Sequence, residues 1–301
     1  MNKIILQTNE ETLQLKKITI HSTYDFDILS YSNKFLYIPS DITQDLSQKM
    51  YNILQCNTSE KTVLIIGPGN GRLEIPILKK LNNIKKIVAV DVNKQCLDNF
   101  KKGFNNSSLI DAINISFDDH YNTDKFDIII AFFVLNFLKD WEEALNKIKN
   151  LLNENGYLLI SEDLYDICFI DNRFPIDNDL FSNPGRKKFY SLWRHYYFIR
   201  EMRGYPWKPI ISPSNMKKCI EMLEADNQFS NVEEIQQCWV NNKTSLNDWL
   251  NEIKDPKIFE CLYSLPFNER NIIFEKLVEK FNDNNSLDLK FGHKIYIFKK
   301  I

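Results

Sequence analysis

The chain has 301 residues, 44% of them hydrophobic, and a formal net charge of −2. That balance supplies no global field to draw it onto nucleic acid or an anionic membrane. No window approaches the ~18 continuous apolar residues of a membrane-spanning helix.

The length allows one large domain or two small ones. The six cysteines are Cys56, Cys96, Cys168, Cys219, Cys238 and Cys261, with no C-x-x-C pair among them. They read as thiols in a reducing compartment rather than as a zinc site. The apolar run after Met1 is too short for a signal peptide. A cytoplasmic protein is the expectation.

Residues 1–60 form a leader segment. Its last part, Ile42 to Leu54, has helical periodicity, with Ser40 or Asp41 as cap. The leader either covers a ligand opening or simply packs on a sheet edge. Thr62 to Ile66 is then a short β-branched strand. Gly67, Gly69 and Gly71 follow at alternate positions, then a helical pattern, then a second apolar strand, Ile87 to Val90, ending in Asp91. A strand, a glycine turn, a helix and a strand tipped by an acid make the unit that binds the adenosine half of a cofactor. The plain alternatives are a tight turn without ligand and a solvated Asp91. The dinucleotide pattern G-x-G-x-x-G is not met, because the third glycine falls one position early and Arg72 stands in its place. No G-K-[ST] follows, so a P-loop is excluded.

Beyond Asp91, counting back from the next strand puts the end of a third strand near Ser116. Phe126 to Ile130 is a fourth strand. Asp140 caps a helix with Glu142 and Glu143 in its first turn, running to Leu152. Asn155-Gly156 turns the chain into a fifth strand, Tyr157 to Ile160. Leu164 to Ser212 is rich in aromatic residues and reads as a lid or binding loop. Ser212-Pro213-Ser214 opens a helix to Ala225, and Val232 to Val240 is a sixth strand. Thr244 to Asn282 is an insertion with two helical patterns, the second started by Pro266. Gly292 to Phe298 is a last strand. The expected organisation is a cap segment at 1–60, a binding core at 61–163, an aromatic lid at 164–212, and a C-terminal part at 213–301 containing the helical insertion 244–282.

The G-x-G-x-G turn, the Asp91 acid and the strand series over residues 60–163 resemble class I S-adenosylmethionine-dependent methyltransferases. The resemblance implies an α/β fold: a Rossmann-like, doubly wound, seven-stranded sheet with helical and aromatic cap insertions. It implies S-adenosylmethionine as cofactor. The site residues it implies are Ile66, Gly67, Pro68, Gly69 and Gly71 in the turn, and Asp91 on the ribose hydroxyls. Phe117 or Asp118 would flank the adenine, Val92 and Phe132 would be further cofactor-binding residues, and Val134 to Leu138 resembles the family's segment that passes under the cofactor. Two positions depart from the family's pattern. Ile65 stands where an acid commonly helps hold the methionine amino group, and Ser116 where an acid commonly meets the adenine amine. No metal is expected, since Ala131-Phe132-Phe133-Val134 offers no ligand where metal-dependent relatives have one.

For proton handling, His195 in the aromatic lid has a near-neutral ordinary pKa. Glu162 ends strand five on the edge where open α/β sheets bind ligands. Tyr196 can orient a substrate. Each has a plain structural alternative: a surface histidine, a solvated strand end, a core tyrosine. The function expected is methyl transfer to an oxygen or nitrogen of a small, partly aromatic or apolar metabolite. Nucleic acid and membrane are not expected as partners. An aminopropyltransferase of spermidine-synthase type is the enzyme alternative, although that family's catalytic aspartate would fall at Ala131-Phe132. A non-catalytic module of the same fold is the other.

Overall fold

The computed structural model describes residues 38–54, 59–81, 83–120, 123–135, 138, 140–163, 192, 195–196, 198–205, 214–241, 265–281 and 289–301. For 162–163, 214–215, 240–241 and 289–291 it describes the backbone only. The described residues fall into two compact units.

The first unit is built on one seven-stranded sheet. Its elements in chain order are α1 (Ser40–Leu54), β1 (Lys61–Ile66), α2 (Glu74–Lys80), β2 (Ile84–Asp91), α3 (Lys94–Gly103), β3 (Ile110–Asn114), β4 (Phe126–Phe132), α4 (Trp141–Leu151), β5 (Leu152–Asp163), α5 (Ser214–Ala225), β6 (Phe229–Asn241) and β7 (Leu289–Lys300). The strand order is β3-β2-β1-β4-β5-β7-β6. The pairs from β3 to β5 are parallel, and β7 runs antiparallel to β5. This is the doubly wound α/β sheet expected.

The central strands are continuous β-branched runs because both faces are covered. Alternation then sorts them. Val63, Ile65, Ile128, Ile130, Ile295 and Ile297 pack with α1, α2 and α3 side chains such as Met50, Ile77 and Phe100. Leu64, Ile66, Ile129, Leu158, Ile160 and Phe298 pack with Leu145 and Ile148 of α4 and Leu223 of α5. Asp127 ties β1 to β4 at their starts, where its Oδ2 accepts from the Thr62 N–H at 2.8 Å and from the Thr62 hydroxyl at 3.0 Å.

Helix α4 begins as its sequence requires. The Asp140 Oδ1 accepts from the N–H groups of Glu142 and Glu143 at 3.1 and 3.0 Å. The start of β5 differs from expectation. Pairing already begins at Leu152 opposite Phe126 and resumes with Tyr157 opposite Ile128. The residues between bulge out, and Asn155 takes a φ of 62°. Asn155-Gly156 is therefore a kink inside a strand rather than a turn before one. Among the described residues, no helix is long and apolar enough to cross a membrane.

The second unit contains α6 (Phe267–Phe281) and helical residues within 192–202. Pro266 precedes α6 and its carbonyl accepts from the Arg270 N–H at 3.0 Å. Arg203 holds Glu269 through two parallel hydrogen bonds, one of them 2.8 Å from Nη2 to Oε1. Most of the expected aromatic lid, and the first helical pattern of the Thr244 to Asn282 insertion, lie outside the described residues.

Candidate functional site

The site is the carboxyl edge of β1 and β2. Leaving β1, the chain turns at Gly67, whose N–H donates to the Val90 carbonyl at 2.8 Å. Gly67 has φ +62°, and a Cβ there would stand 2.5 Å from Val134 Cγ2. The turn is thus pressed against the chain that leaves β4. Gly69 differs. Its φ is +51°, yet a Cβ would meet nothing within 4 Å. One glycine is needed for packing; the next exposes bare backbone to open space. The turn closes when Gly71 donates to Pro68 O at 2.8 Å.

Asp91 faces this turn from the tip of β2. Its Oδ2 accepts from the Gly69 N–H at 3.2 Å and its Oδ1 from the Asn93 N–H at 2.8 Å. Each oxygen keeps a lone pair for a further donor, which suits two neighbouring hydroxyls. Burial pushes the Asp91 pKa up, and the two backbone donors oppose that shift. Asn114 fixes the next residues, with Nδ2 donating to the carbonyls of Asp91 and Val92 at 3.0 and 2.9 Å. Val92 is 42% exposed, an apolar surface beside a polar cradle.

After β3, the Ser116 hydroxyl donates to Asp118 Oδ2 at 3.2 Å and accepts from the Asp118 N–H at 3.3 Å. Phe117 turns inward and joins the core. Lys147 of α4 donates to the Phe117 carbonyl at 2.6 Å and lies 4.6 Å from the centre of its ring. The side chains of Ile66 and Phe132 are likewise buried in the two cores. Ile65 is fully buried among apolar residues, so no acid stands at that position of the strand.

Glu74 was not singled out by its sequence context beyond being an acid in a first helical turn. It is 5% exposed. Burial raises its pKa to about 7; the N–H groups of Glu74 and Leu73 and the charge of Arg72 pull the other way, and Asp91 adds to the rise. A carboxyl group thus sits at the N-terminus of α2, where a dinucleotide-binding turn would receive a pyrophosphate. The open Gly69 backbone and the Asp91 oxygens fit the paired hydroxyls of a ribose.

The exit of β4 carries a second unexpected feature. Phe133 has a φ of +55°, rare for an aromatic residue. Its N–H donates to the buried Ser161 hydroxyl oxygen at 3.0 Å.

The proton-handling candidates are spread over the two units. His195 and Tyr196 belong to the second unit. The His195 Nδ1 lies 3.2 Å from Lys280 Nζ, and its ring packs on Phe198 and Phe281. Burial, then the Lys280 charge, lowers its pKa. Tyr196 is 1% exposed and its hydroxyl accepts from Arg200 Nη1 at 2.9 Å. Glu162 lies in β5 with Lys294 as its Cα partner; its side chain is outside the described residues.

A family model described as "Methyltransferase domain" matches residues 37–252, more than half of the chain. Among solved structures, N-methyltransferase NodS from Bradyrhizobium japonicum WM9, in complex with S-adenosyl-l-homocysteine, has the same fold. Its TM-score is 0.50 at 11% identity, covering 94% of this chain and 98% of that one. Coclaurine N-methyltransferase, bound to N-methylheliamine and S-adenosylhomocysteine, gives a TM-score of 0.47 at 16% identity, covering 99% of this chain and 89% of that one. A polyketide synthase of Dictyostelium discoideum, "Probable polyketide synthase 38", is 25% identical over 180 residues, which are 52% of this chain. The chain spans about 6% of that protein's length.

Proposed function

The chain belongs to the methyltransferase-domain family, and we propose that it transfers a methyl group from S-adenosylmethionine to an oxygen or nitrogen of a small, partly aromatic or apolar acceptor. The observation that carries this reading is the Gly69–Asp91 cradle beside the Glu74 carboxyl group. Its open backbone and the free lone pairs of the carboxylate suit the paired hydroxyls of a ribose. The bare backbone of Gly67 to Gly71 would accommodate the methionine and ribose portion. Asp91 would accept the ribose hydroxyls, and Val92 and Asp118 would border the adenine. Bound there, the cofactor supplies a methyl group already activated by its sulfonium charge.

What remains for the protein is alignment, exclusion of water and the handling of one proton. His195, Glu162 and Tyr196 stand as candidates for orienting the acceptor. A lowered pKa keeps the His195 ring neutral at physiological pH. The small-acceptor reading is supported by the net charge of −2, which suits no polyanion, and by the aromatic residues of 164–212, since small-molecule pockets are mainly apolar. We place the activity in the cytoplasm.

The test is incubation with S-adenosylmethionine carrying a tritiated methyl group and a set of simple phenols and aromatic amines. Label recovered in an extractable acceptor supports the reading. Label that stays with the cofactor throughout the set, under conditions where the cofactor binds, overturns the choice of acceptor.

A further inference from the structure

A polar chain runs from exposed Asp45 through buried Gln237 to buried His293, near the carboxyl edge of the sheet. Gln237 of β6 donates from Nε2 to Asp45 Oδ2 of α1 at 2.8 Å and to the Ile42 carbonyl at 3.3 Å. Both partners are acceptors only, so that end of the amide must be its NH₂. Gln237 Oε1 therefore faces the other way, and it lies 2.8 Å from Nε2 of His293 on β7. An amide oxygen accepts, so His293 Nε2 must carry the hydrogen. In a neutral ring the other nitrogen, Nδ1, is then a bare acceptor.

That nitrogen is buried and, among the described residues, has no hydrogen-bond partner. Natural structures pair such atoms, and an exception calls for an explanation. The whole residue is 0% exposed. Burial pushes its pKa down to about 4, which holds the ring neutral. The charged groups along this chain are Asp45 and its ion-pair partner Lys49, 2.8 Å apart. Lys294 beside it is turned to Glu234 at 2.7 Å.

The position of His293 agrees with a role at the site. It is the Cα partner of Asp163, the last residue of β5, so it lies on the edge where open α/β sheets bind ligands. Its ring centre is 6.3 Å from that of Phe133 and 5.4 Å from that of Trp239. Phe133 is the left-handed residue at the exit of β4. Strained residues persist where the surroundings over-determine them, and they cluster at active sites.

Resting on the methyl-transfer reading, we propose that His293 Nδ1 receives the O–H or N–H of the methyl acceptor, with Gln237 and Asp45 as the positioning residues that fix the ring's tautomer. The hydrogen bond turns the acceptor's lone pair toward the methyl carbon. As the acceptor atom gains its bond to carbon, the carbon–sulfur bond breaks, its electron pair stays on sulfur, and the acceptor's hydrogen passes as a proton to Nδ1. A hydroxyl oxygen becomes strongly acidic once alkylated, and an aromatic amine nitrogen becomes far more acidic than an aliphatic one, so a weak base in the right place is sufficient for these acceptors.

The test uses the full chain labelled with ¹⁵N-histidine, saturated with S-adenosylhomocysteine at pH 7. Calorimetry first establishes that saturation. His293 is assigned by its loss in His293→Gln or, should that variant not fold, by its contact with Trp239. The expected spectrum has Nε2 protonated and Nδ1 bare. Millimolar phenol or aniline shifts the Nδ1 resonance. In Gln237→Leu, S-adenosylhomocysteine binding is unchanged within about twofold, but both tautomers appear and the phenol shift shrinks. A Nδ1–H tautomer, an imidazolium, or a Nδ1 resonance unmoved by both probes overturns the proposal while leaving methyl transfer standing. Failure to bind S-adenosylhomocysteine removes the reading beneath it, and the proposal with it.

Discussion

The Gly69 N–H donates to the Asp91 carboxylate at 3.2 Å across the gap between the first turn and the second strand. This bond joins two pieces of chain that a sequence shows only as a spacing. It aims the carboxylate while leaving lone pairs for a ligand, and it holds a glycine whose far side is open.

Gly67→Ala should destabilise the fold. The new Cβ would stand 2.5 Å from Val134 Cγ2 at a φ of +62°. Steric overlap and a left-handed backbone together cost about 2 to 4 kcal/mol. Thermal unfolding checks this. Val134→Ala in the same chain should restore part of the loss, since it removes the 2.5 Å contact while the Cβ of residue 134, at 3.0 Å, and the backbone strain remain.

Gly69→Ala should be milder for stability, about 1 kcal/mol, because only the φ of +51° opposes it. Its main effect should fall on the ligand, since the added methyl occupies the open space over the turn. Comparing unfolding midpoints with S-adenosylhomocysteine affinity for the two glycine variants separates packing from binding.

Glu74→Gln should stabilise the protein, and only at higher pH. The folded-state pKa is about 7, raised above the ordinary 4.5. Below 4.5 the carboxyl group is protonated folded and unfolded, and it costs nothing. As pH rises from 4.5 to 7 the unfolded chain releases its proton while the folded chain keeps it, so stability falls. Above that window the penalty is on the order of 2 to 3 kcal/mol, and the neutral amide escapes it. Denaturant melts at pH 4.5 and pH 8 should show no gain at the lower value and a clear gain at the higher.

Asp140→Ala should cost about 1 kcal/mol through loss of the α4 cap. The Asp140 Oδ1 satisfies two backbone N–H groups at 3.0 and 3.1 Å. Asp140→Asn should retain most of the stability, because an amide oxygen can still accept. Chemical denaturation of both variants is the check.

Much of the first unit was legible because its signals are local. Runs such as Ile87 to Val90 and Ile128 to Ile130 are apolar on both faces, and only a sheet covered on both sides explains that. Asp140 with two acids behind it reads as a helix start, and it is one. Asn155-Gly156 misled because a turn signal cannot reveal that Leu152 is already paired with Phe126. In the site, the glycines and Asp91 were legible as one motif within a short stretch. Glu74 was not legible, because an acid in a first helical turn is ordinary and its burial depends on the packing of α2. The chain from Asp45 through Gln237 to His293 was not legible at all. Asp45 and Gln237 are 192 positions apart, and no local pattern marks a histidine in a strand as one with a bare nitrogen.

Calorimetric titration with S-adenosylhomocysteine tests the central claim most directly, run on the unaltered chain and on Asp91→Ala. The account predicts micromolar binding by the first and at least a tenfold loss in the second, with unfolding still cooperative. Tight binding that ignores Asp91, or no binding by the unaltered chain while a nicotinamide dinucleotide binds instead, would contradict it.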